Sequence, residues 1–310
     1  MSVYLGIDTS NYTTSVCLYN SDDGSVISKR RLLPVRSGEL GLRQSDAVFH
    51  HVQQLPDLFS QTFSEYDGKI SAIGVSSAPR AVEGSYMPCF TVGLTSARIL
   101  SDAMHIPYYA FSHQQGHIAA ALYSIDRLDL LDRPHIAFHV SGGTTEALGV
   151  NMDDGYLSTR LIAKTLDLNA GQLIDRVGVM LGLQFPCGKE LEQLALQCDE
   201  IMKPKTTLKG MDCCLSGGEN MAKKLLDEGK SPVYIARFTI EFILRAIGKM
   251  SDRIREEYGD LPFVYAGGVM SDSIIRDRLT SQSDCLFAKP EFSCDNAAGI
   301  AVLASVKDRL

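Results

Sequence analysis

Val3-Tyr4-Leu5-Gly6-Ile7-Asp8-Thr9-Ser10-Asn11-Tyr12-Thr13-Thr14-Ser15-Val16-Cys17-Leu18 is the stretch that decides the fold. Val3 to Ile7 is apolar with small residues, Asp8 to Asn11 is a polar turn-former, and Thr14 to Leu18 returns as β-branched and apolar. That order predicts a strand, a tight turn and a second strand. The same form comes back later. Ile136 to Val140 is apolar, runs into Ser141-Gly142-Gly143-Thr144-Thr145, and resumes at Glu146 to Val150. Two such units in one chain predict a duplicated architecture of two lobes with a cleft between them.

Working outward, Val26 to Leu33 offers a third strand after the Asp22-Asp23-Gly24 turn. Ser45 to Phe63 has helical spacing at Val48, Val52, Leu55, Leu58 and Phe59. Ile73 to Ser76 is a short buried strand, Phe90 to Met104 a helix and Tyr108 to Phe111 another strand. Alternating strands and helices make this an α/β layer fold. Residues 165–260 are predicted to be mostly helical, with period-matched Ile235, Phe238, Phe242, Ile247 and Ile254. Phe263 to Ala266 is a strand entering Gly267-Gly268, and Ala297 to Val306 is a closing helix. The expected division is a first lobe at 1–110 and a second at 111–310. The second carries a helical insertion at 165–260 and a last helix packing back toward the cleft.

Bulk properties exclude several classes. At 310 residues the chain is long for one simple core. No apolar run reaches the roughly 18 residues of a membrane span, and Met1 to Asp8 lacks the basic start of a signal peptide. Eight cysteines are scattered through apolar segments without a CxxC pair, which fits reduced cytosolic thiols and a cytoplasmic protein. The net charge of −7 is not the footprint of a stand-alone nucleic-acid binder. If RNA is a substrate, a local patch or a partner supplies the positive charge.

The sharpest local feature is His113-Gln114-Gln115-Gly116-His117, which follows a strand and opens a helix. Spacing of i, i+4 puts both imidazoles on one helical face, as two ligands of one divalent ion require. The bland reading is a capping histidine plus a partly buried one. Asp295, just before the last helix, is the natural third ligand; its bland role is an N-cap. Asp8-Thr9-Ser10 and Ser141 to Thr145 are turns whose backbone N–H groups and hydroxyls can hold phosphate oxygens, or they are plain hairpin turns. Gly267-Gly268 can present a helix N-terminus to an anion. Asp175, Gly188 and Glu192 fall on a helix, a turn and the next helix; carboxylates can grip ribose hydroxyls, or they belong to a solvated face. No P-loop signature and no GxGxxG occurs.

These pieces fall in the order of a known family. LGIDTS (5–10), HQQGH (113–117), VSGGTT (140–145), DLNAGQLIDRVGVMLGLQFPCGKELEQLA (167–195), CLSGG (214–218), YAGGV (265–269) and KPEFSCDNAAGIA (289–301) are collinear. The chain resembles the TsaD/Gcp family, bacterial threonylcarbamoyl-transferase subunits with archaeal and eukaryotic relatives, formerly labelled O-sialoglycoprotein endopeptidases. The resemblance implies an actin-like ATPase fold of the Hsp70/hexokinase type. It implies one iron or zinc ion on His113, His117 and Asp295, touching the phosphates of ATP, ADP, AMP or an acyl-adenylate. His139 stands where some relatives place a ligating Tyr, and would complete a His/His/His/Asp shell. Ser141, Gly142 and Gly143 match the phosphate loop, Asp175, Gly188 and Glu192 the ribose contacts, and Gly267 and Gly268 the adenine-side loop. Thr144 and Asp272 stand in those loops where the family has His or Asn. Ser10 and Thr144 are the candidates for a direct catalytic role. A protein partner of the TsaB type or self-association is implied, with tRNA as acceptor.

Departures lie around this core. Asn11-Tyr12-Thr13 lacks the family's acids, and Ala78-Pro79-Arg80 replaces its Gly-Pro-Gly. That pattern reads as a divergent paralogue. Three functions stay open: threonylcarbamoyl transfer to tRNA, a related ATP-dependent carbamoyl transfer to another acceptor, and a non-catalytic nucleotide-binding subunit. Peptidase chemistry has no support, because the HxxGH segment lacks the glutamate base of HExxH.

Overall fold

The computed structural model describes residues 2–34, 42–281, 285–293 and 295–310. Cys294, counted among the thiols, lies outside them. The chain packs as two compact units: 1–133 with 151–159 and 291–310, and 134–150 with 160–290.

The opening segment forms β1 (Val3–Thr9) and β2 (Thr13–Asn20), paired antiparallel from Val3↔Asn20 to Thr9↔Thr14. They are followed by β3 (Val26–Leu32), α1 (Gln44–Ser64), β4 (Ile70–Ala78), α2 (Phe90–Met104), β5 (Tyr108–Ser112) and α3 (His113–Ser124). The sheet order is β3-β2-β1-β4-β5, with β4 parallel to both β1 and β5. β1 is buried along its whole length, as expected of a central strand covered on both faces.

One face packs Leu5, Ile7, Val16, Ile73 and Val75 against Leu55 and Leu58 of α1 and Ala97 of α2. The inward stripe of α1 is Ala47, His51, Gln54, Leu55, Leu58 and Thr62. Val52, expected on that stripe, is 56% exposed. Polar His51 and Gln54 take inward places because Thr14 meets both: its hydroxyl lies 2.8 Å from His51 Nδ1 and 2.9 Å from Gln54 Oε1.

The second unit repeats the plan with β6 (His135–Val140), β7 (Thr145–Asp153) and β8 (Tyr156–Lys164). After them come α4 (Ala170–Met180), α5 (Gly188–Ala195), β9 (Thr207–Lys209), β10 (Asp212–Cys214), α6 (Ser216–Asp227) and α7 (Pro232–Tyr258). The chain continues through β11 (Phe263–Ala266), α8 (Ser273–Thr280), β12 (Cys285–Phe287) and α9 (Ala298–Lys307). The sheet order β12-β11-β6-β7-β8 mirrors the first, with the hairpin β6–β7 antiparallel and β11 parallel to β6 and β12. The two sheets thus bear out the duplicated α/β reading. The stretch 165–260 is mostly helical, through α4, α5, α6 and α7, as its apolar period suggested. β9 and β10 form an antiparallel hairpin within it, turned by Gly210 at φ +64°. The core gathers Phe138, Leu173, Val177, Ile243, Ile247 and Tyr265 around the buried face of α7.

α9 returns to the first sheet, where it packs on β1 and β4 and crosses α3. Small residues permit this. A Cβ on Gly6 would meet the Ala297 carbonyl oxygen at 2.3 Å, and one on Gly74 the Ile300 carbonyl oxygen at 2.5 Å. No helix among the described residues is long and apolar enough to cross a membrane.

Candidate metal centre

α3 begins at His113 because Ser112 ends β5 in an extended conformation and caps the helix. The Ser112 hydroxyl accepts from Gln115 N at 3.2 Å, while Gln115 Oε1 accepts from Ser112 N at 2.6 Å. This capping box fixes the first helical turn, and the same glutamine donates from Nε2 to the Leu157 carbonyl at 2.6 Å. The helix then presents His113 and His117 on one face, as their spacing predicted.

Gly116 has its own task. A Cβ on Gly299 of α9 would come within 1.9 Å of the Gly116 carbonyl oxygen, and one on Gly116 within 2.8 Å of Ile300 Cδ1. The helices therefore cross at glycines on both sides. That close approach brings Asp295, just before α9, to the two histidines. Asp295 Oδ1 lies 3.3 Å from His113 Nε2 and 3.3 Å from His117 Nε2, and the two Nε2 atoms are 2.9 Å apart.

The turn after β1 supplies the surroundings. His113 Nδ1 donates to Asp8 Oδ1 at 3.0 Å, and the Ser10 hydroxyl donates to Asp295 Oδ2 at 2.9 Å. The Ser10 carbonyl is met by His51 Nε2 at 2.8 Å. Thr9 turns away; its hydroxyl donates to the Cys89 carbonyl at 3.0 Å and accepts from Gly93 N at 3.2 Å, anchoring α2. Burial works against charge on His113, but the Asp8 and Asp295 carboxylates outweigh it and push the imidazole up to about 10. Burial also works against the Asp295 carboxylate, yet the two histidines hold it well below the usual carboxylate range.

The donor set suits a divalent ion. One donor atom each from His113, His117 and Asp295 lie within 4.8 Å of one another. Ligand atoms bound about 2.0–2.2 Å from one ion stand about 2.9–3.5 Å apart, which matches the observed triangle of edges. The Asp8 contact keeps the His113 proton on Nδ1 and turns Nε2 inward, the usual carboxylate–histidine support of a metal ligand. Two imidazoles and one carboxylate fit iron or zinc.

The other sequence-predicted residues lie in the second unit. Ser141 to Thr144 closes the β6–β7 turn: Ser141 N donates to the Thr144 carbonyl at 2.7 Å and Thr144 N to Ser141 Oγ at 3.2 Å. Gly171 N donates to the Ser141 carbonyl at 3.1 Å, and a Cβ on Gly171 would strike Gly142 at 2.6 Å. A Cβ on Gly142, Gly143, Gly188 or Gly268 would meet nothing within 4 Å, so those positions open to whatever occupies the turn's outer side. Gly267 sits at φ +104° against the Val140 carbonyl. Gly268 opens a single 3-10 turn, Gly268–Ser271, and the regular helix α8 starts only at Ser273.

Asp175 Oδ1 accepts from Cys187 N at 2.9 Å, and Glu192 Oε1 accepts from Ser273 N at 2.8 Å. Asp272 caps α8 by accepting from Ile275 N at 3.0 Å, and burial, reinforced by the negative charge of Glu192, lifts its carboxyl to about 7. His139 lies on β6 opposite Glu146 of β7 and Ala266 of β11.

Sequence reading placed Asp8 only with the turn, and passed over His51. The signal for His51 was a polar residue on the inward stripe of an amphipathic helix. The link from Asp8 to His113 spans 105 residues and left no local signal.

The sequence profile described as "TsaD: tRNA N6-adenosine threonylcarbamoyltransferase" matches residues 38–302. Proteins named tRNA N6-adenosine threonylcarbamoyltransferase from two strains of Thermus thermophilus are 30% identical over 97% of this chain, covering 91% and 90% of their own lengths. Among solved structures, T. kodakarensis HypF superposes with a TM-score of 0.63 at 12% identity, over 98% of this chain and 46% of its own. A ROK family glucokinase from Streptomyces griseus superposes with a TM-score of 0.55 at 10% identity, over 98% of this chain and 99% of its own. The likeness to these structures establishes the duplicated actin-like fold, and the profile and the Thermus relatives establish that the chain belongs to the TsaD family of tRNA N6-adenosine threonylcarbamoyltransferases.

Proposed function

We propose that this chain transfers a threonylcarbamoyl group from threonylcarbamoyl-adenylate to the exocyclic amine of an adenosine beside a tRNA anticodon. The observation that carries the reading is the intact His113–His117–Asp295 triangle within a chain matched by the family profile. The amine nitrogen attacks the carbamoyl carbon, the bond to the adenylate phosphate oxygen breaks, AMP leaves, and the nitrogen sheds a proton. His113, His117 and Asp295 are the proposed ligands of one iron or zinc ion, with His139 as a fourth. Bound there, the ion supplies Lewis acidity toward phosphate and carbonyl oxygens.

The chain's own groups prepare that site. Asp8 holds the His113 proton on Nδ1, and Ser10 fixes Asp295 through Oδ2. Ser10 and Thr144 are the hydroxyls proposed to touch the reacting groups. In the second unit, Ser141, Gly142, Gly143 and Thr144 are the proposed phosphate turn. Gly267, Gly268 and Asp272 form the proposed adenine-side loop. Asp175, Gly188 and Glu192 are the proposed ribose contacts. Glu192 and Asp175 each already hold a backbone N–H with one oxygen, which leaves a second oxygen of each carboxylate as the ribose acceptor. A protein partner presenting apolar helices is proposed for the outer side of α1 and α2, where Phe49, Val52 and Ile99 are 58%, 56% and 62% exposed. We place the protein in the cytoplasm, in keeping with its free buried thiols.

A second reading, carbamoyl transfer to an acceptor other than tRNA, is favoured by the net charge of −7 and by Asn11-Tyr12-Thr13. One experiment separates the readings. Purified protein is analysed for iron, zinc and adenine-nucleotide binding, then given threonylcarbamoyl-adenylate and unmodified tRNA with its partner present. Modified adenosine formed by the native chain, and lost with bound metal in His117→Ala, supports the proposal. Metal and nucleotide binding without modified tRNA transfers the weight to the other acceptor; neither metal nor nucleotide bound overturns both.

A further inference from the structure

Asp8 and Ser76 are both wholly buried, and Asp8 Oδ2 and Ser76 Oγ each have no hydrogen-bond partner among the described residues. Buried polar atoms of this kind are nearly always satisfied, by protein or by an ordered water. The two atoms belong to neighbouring strands. β1 and β4 pair in parallel with Gly6↔Gly74 and Ile7↔Val75. A Cβ on either Gly6 or Gly74 would run into α9, so both positions face that helix. Side chains alternate along a strand. Asp8 and Ser76, two residues further on, therefore face the same way at adjacent places, with strands about 4.8 Å apart. Across the next strand Ser76 pairs with Phe111, two residues before His113. The Ser76 hydroxyl thus lies in the row between the carboxylate of Asp8 and the strand that delivers His113.

We propose that Ser76 is a positioning residue for the metal centre: its hydroxyl donates to one buried water, which in turn donates to Asp8 Oδ2. The consequence is mechanical. A carboxylate held only at Oδ1 can rotate about its Cβ–Cγ bond, and Oδ1 then loses the His113 Nδ1 proton. Held at both oxygens it cannot, and His113 Nε2 stays turned toward His117 and Asp295. The inference rests on the reading of these three residues as a metal site. It goes beyond it in naming a residue on a different strand that touches none of the three ligands in any contact described above.

The test has two arms. A high-resolution crystal structure of the metal-free protein is expected to show a water bridging Ser76 Oγ and Asp8 Oδ2; an Oδ2 with no such water overturns the proposal. Zn2+ affinity is then measured by chelator competition for the native chain, Ser76→Ala and Ser76→Thr. Loss of a ligand's direct hydrogen-bond partner costs metal sites roughly 10- to 100-fold in affinity; Ser76 stands one contact further out, so Ser76→Ala is expected to bind Zn2+ more weakly by up to about tenfold. Ser76→Thr, which keeps the hydroxyl, restores the affinity. Unchanged affinity in Ser76→Ala overturns the positioning role. If the native chain binds no Zn2+, the metal reading fails, and the crystal structure still decides the link between hydroxyl and carboxylate.

Discussion

At the residue scale, the proposed metal reading sets protons and metal in competition for His113. Asp8 on Nδ1 and Asp295 near Nε2 favour the imidazolium, which holds its proton up to about 10 in the metal-free chain. A folded value raised above 6.5 contributes stability that is complete below 6.5 and drains away as pH rises through about 10. The depressed Asp295 contributes above its ordinary 3.8 and loses its share only in strong acid. The metal-free protein should therefore lose melting temperature steadily as pH is raised from 6.5 toward 10. Metal affinity should move the other way, rising about tenfold per pH unit over the same range, since one proton must leave His113 Nε2 for each ion bound. Calorimetry with and without Zn2+ across that range checks both signs; parallel curves would refute the competition. The His113/His117 pair was legible in the sequence because four residues are one turn of helix. The proton trap around it was not, because Asp8 reads locally as a turn residue.

At the element scale, glycines carry two different arguments. Gly116 and Gly299 exist for packing, since side chains there would separate α3 from α9. Gly142 is free of such duty and meets open space. Gly299→Ala should cost about 1–3 kcal/mol or more from overpacking and weaken metal binding as Asp295 recedes; denaturant unfolding and metal titration measure the two effects. Gly142→Ala should leave unfolding unchanged and lower nucleotide affinity. Equal destabilisation by both would refute the distinction. Element type was legible where period and length agreed, as in β1, β2, α1 and α7. The hairpin at 207–214 was missed because its two three-residue strands are too short to show an alternation amid apolar residues that also suit helices. The exposed stripe of Val52 was missed because an apolar period marks an apolar face without saying which neighbour covers it.

At the scale of the whole molecule, the same strand order appears in both units, with a hairpin at one edge and parallel strands beyond it. That symmetry was legible from two strand–turn–strand segments alone. Which unit the last helix joins was not, since it depends on glycines in β1 and β4 more than 200 residues earlier in the chain than Ile300. On the outer side of α1 and α2, a groove of about 470 Å³ includes Val52, Phe59 and Ile99. Ile99→Asp should leave the unfolding free energy within about 0.5 kcal/mol of native, as solvent-facing changes do, and should abolish association with the proposed partner. Analytical ultracentrifugation with and without the partner reads the outcome, and association that persists would place the interface elsewhere. Self-association of the native chain, lost in the same variant, would identify the partner as a second copy.

The crossing of α9 over α3 also has a consequence in time. Asp8, Ser10, His113 and His117 are all made early, while Asp295 follows His113 by most of the remaining chain. At translation speeds of about 5–20 residues per second, a ribosome takes on the order of ten to forty seconds to cover that interval. Throughout it the two histidines belong to a nascent chain that still lacks Asp295. On the proposed metal reading, the three-point grip can close only once synthesis has passed Asp295.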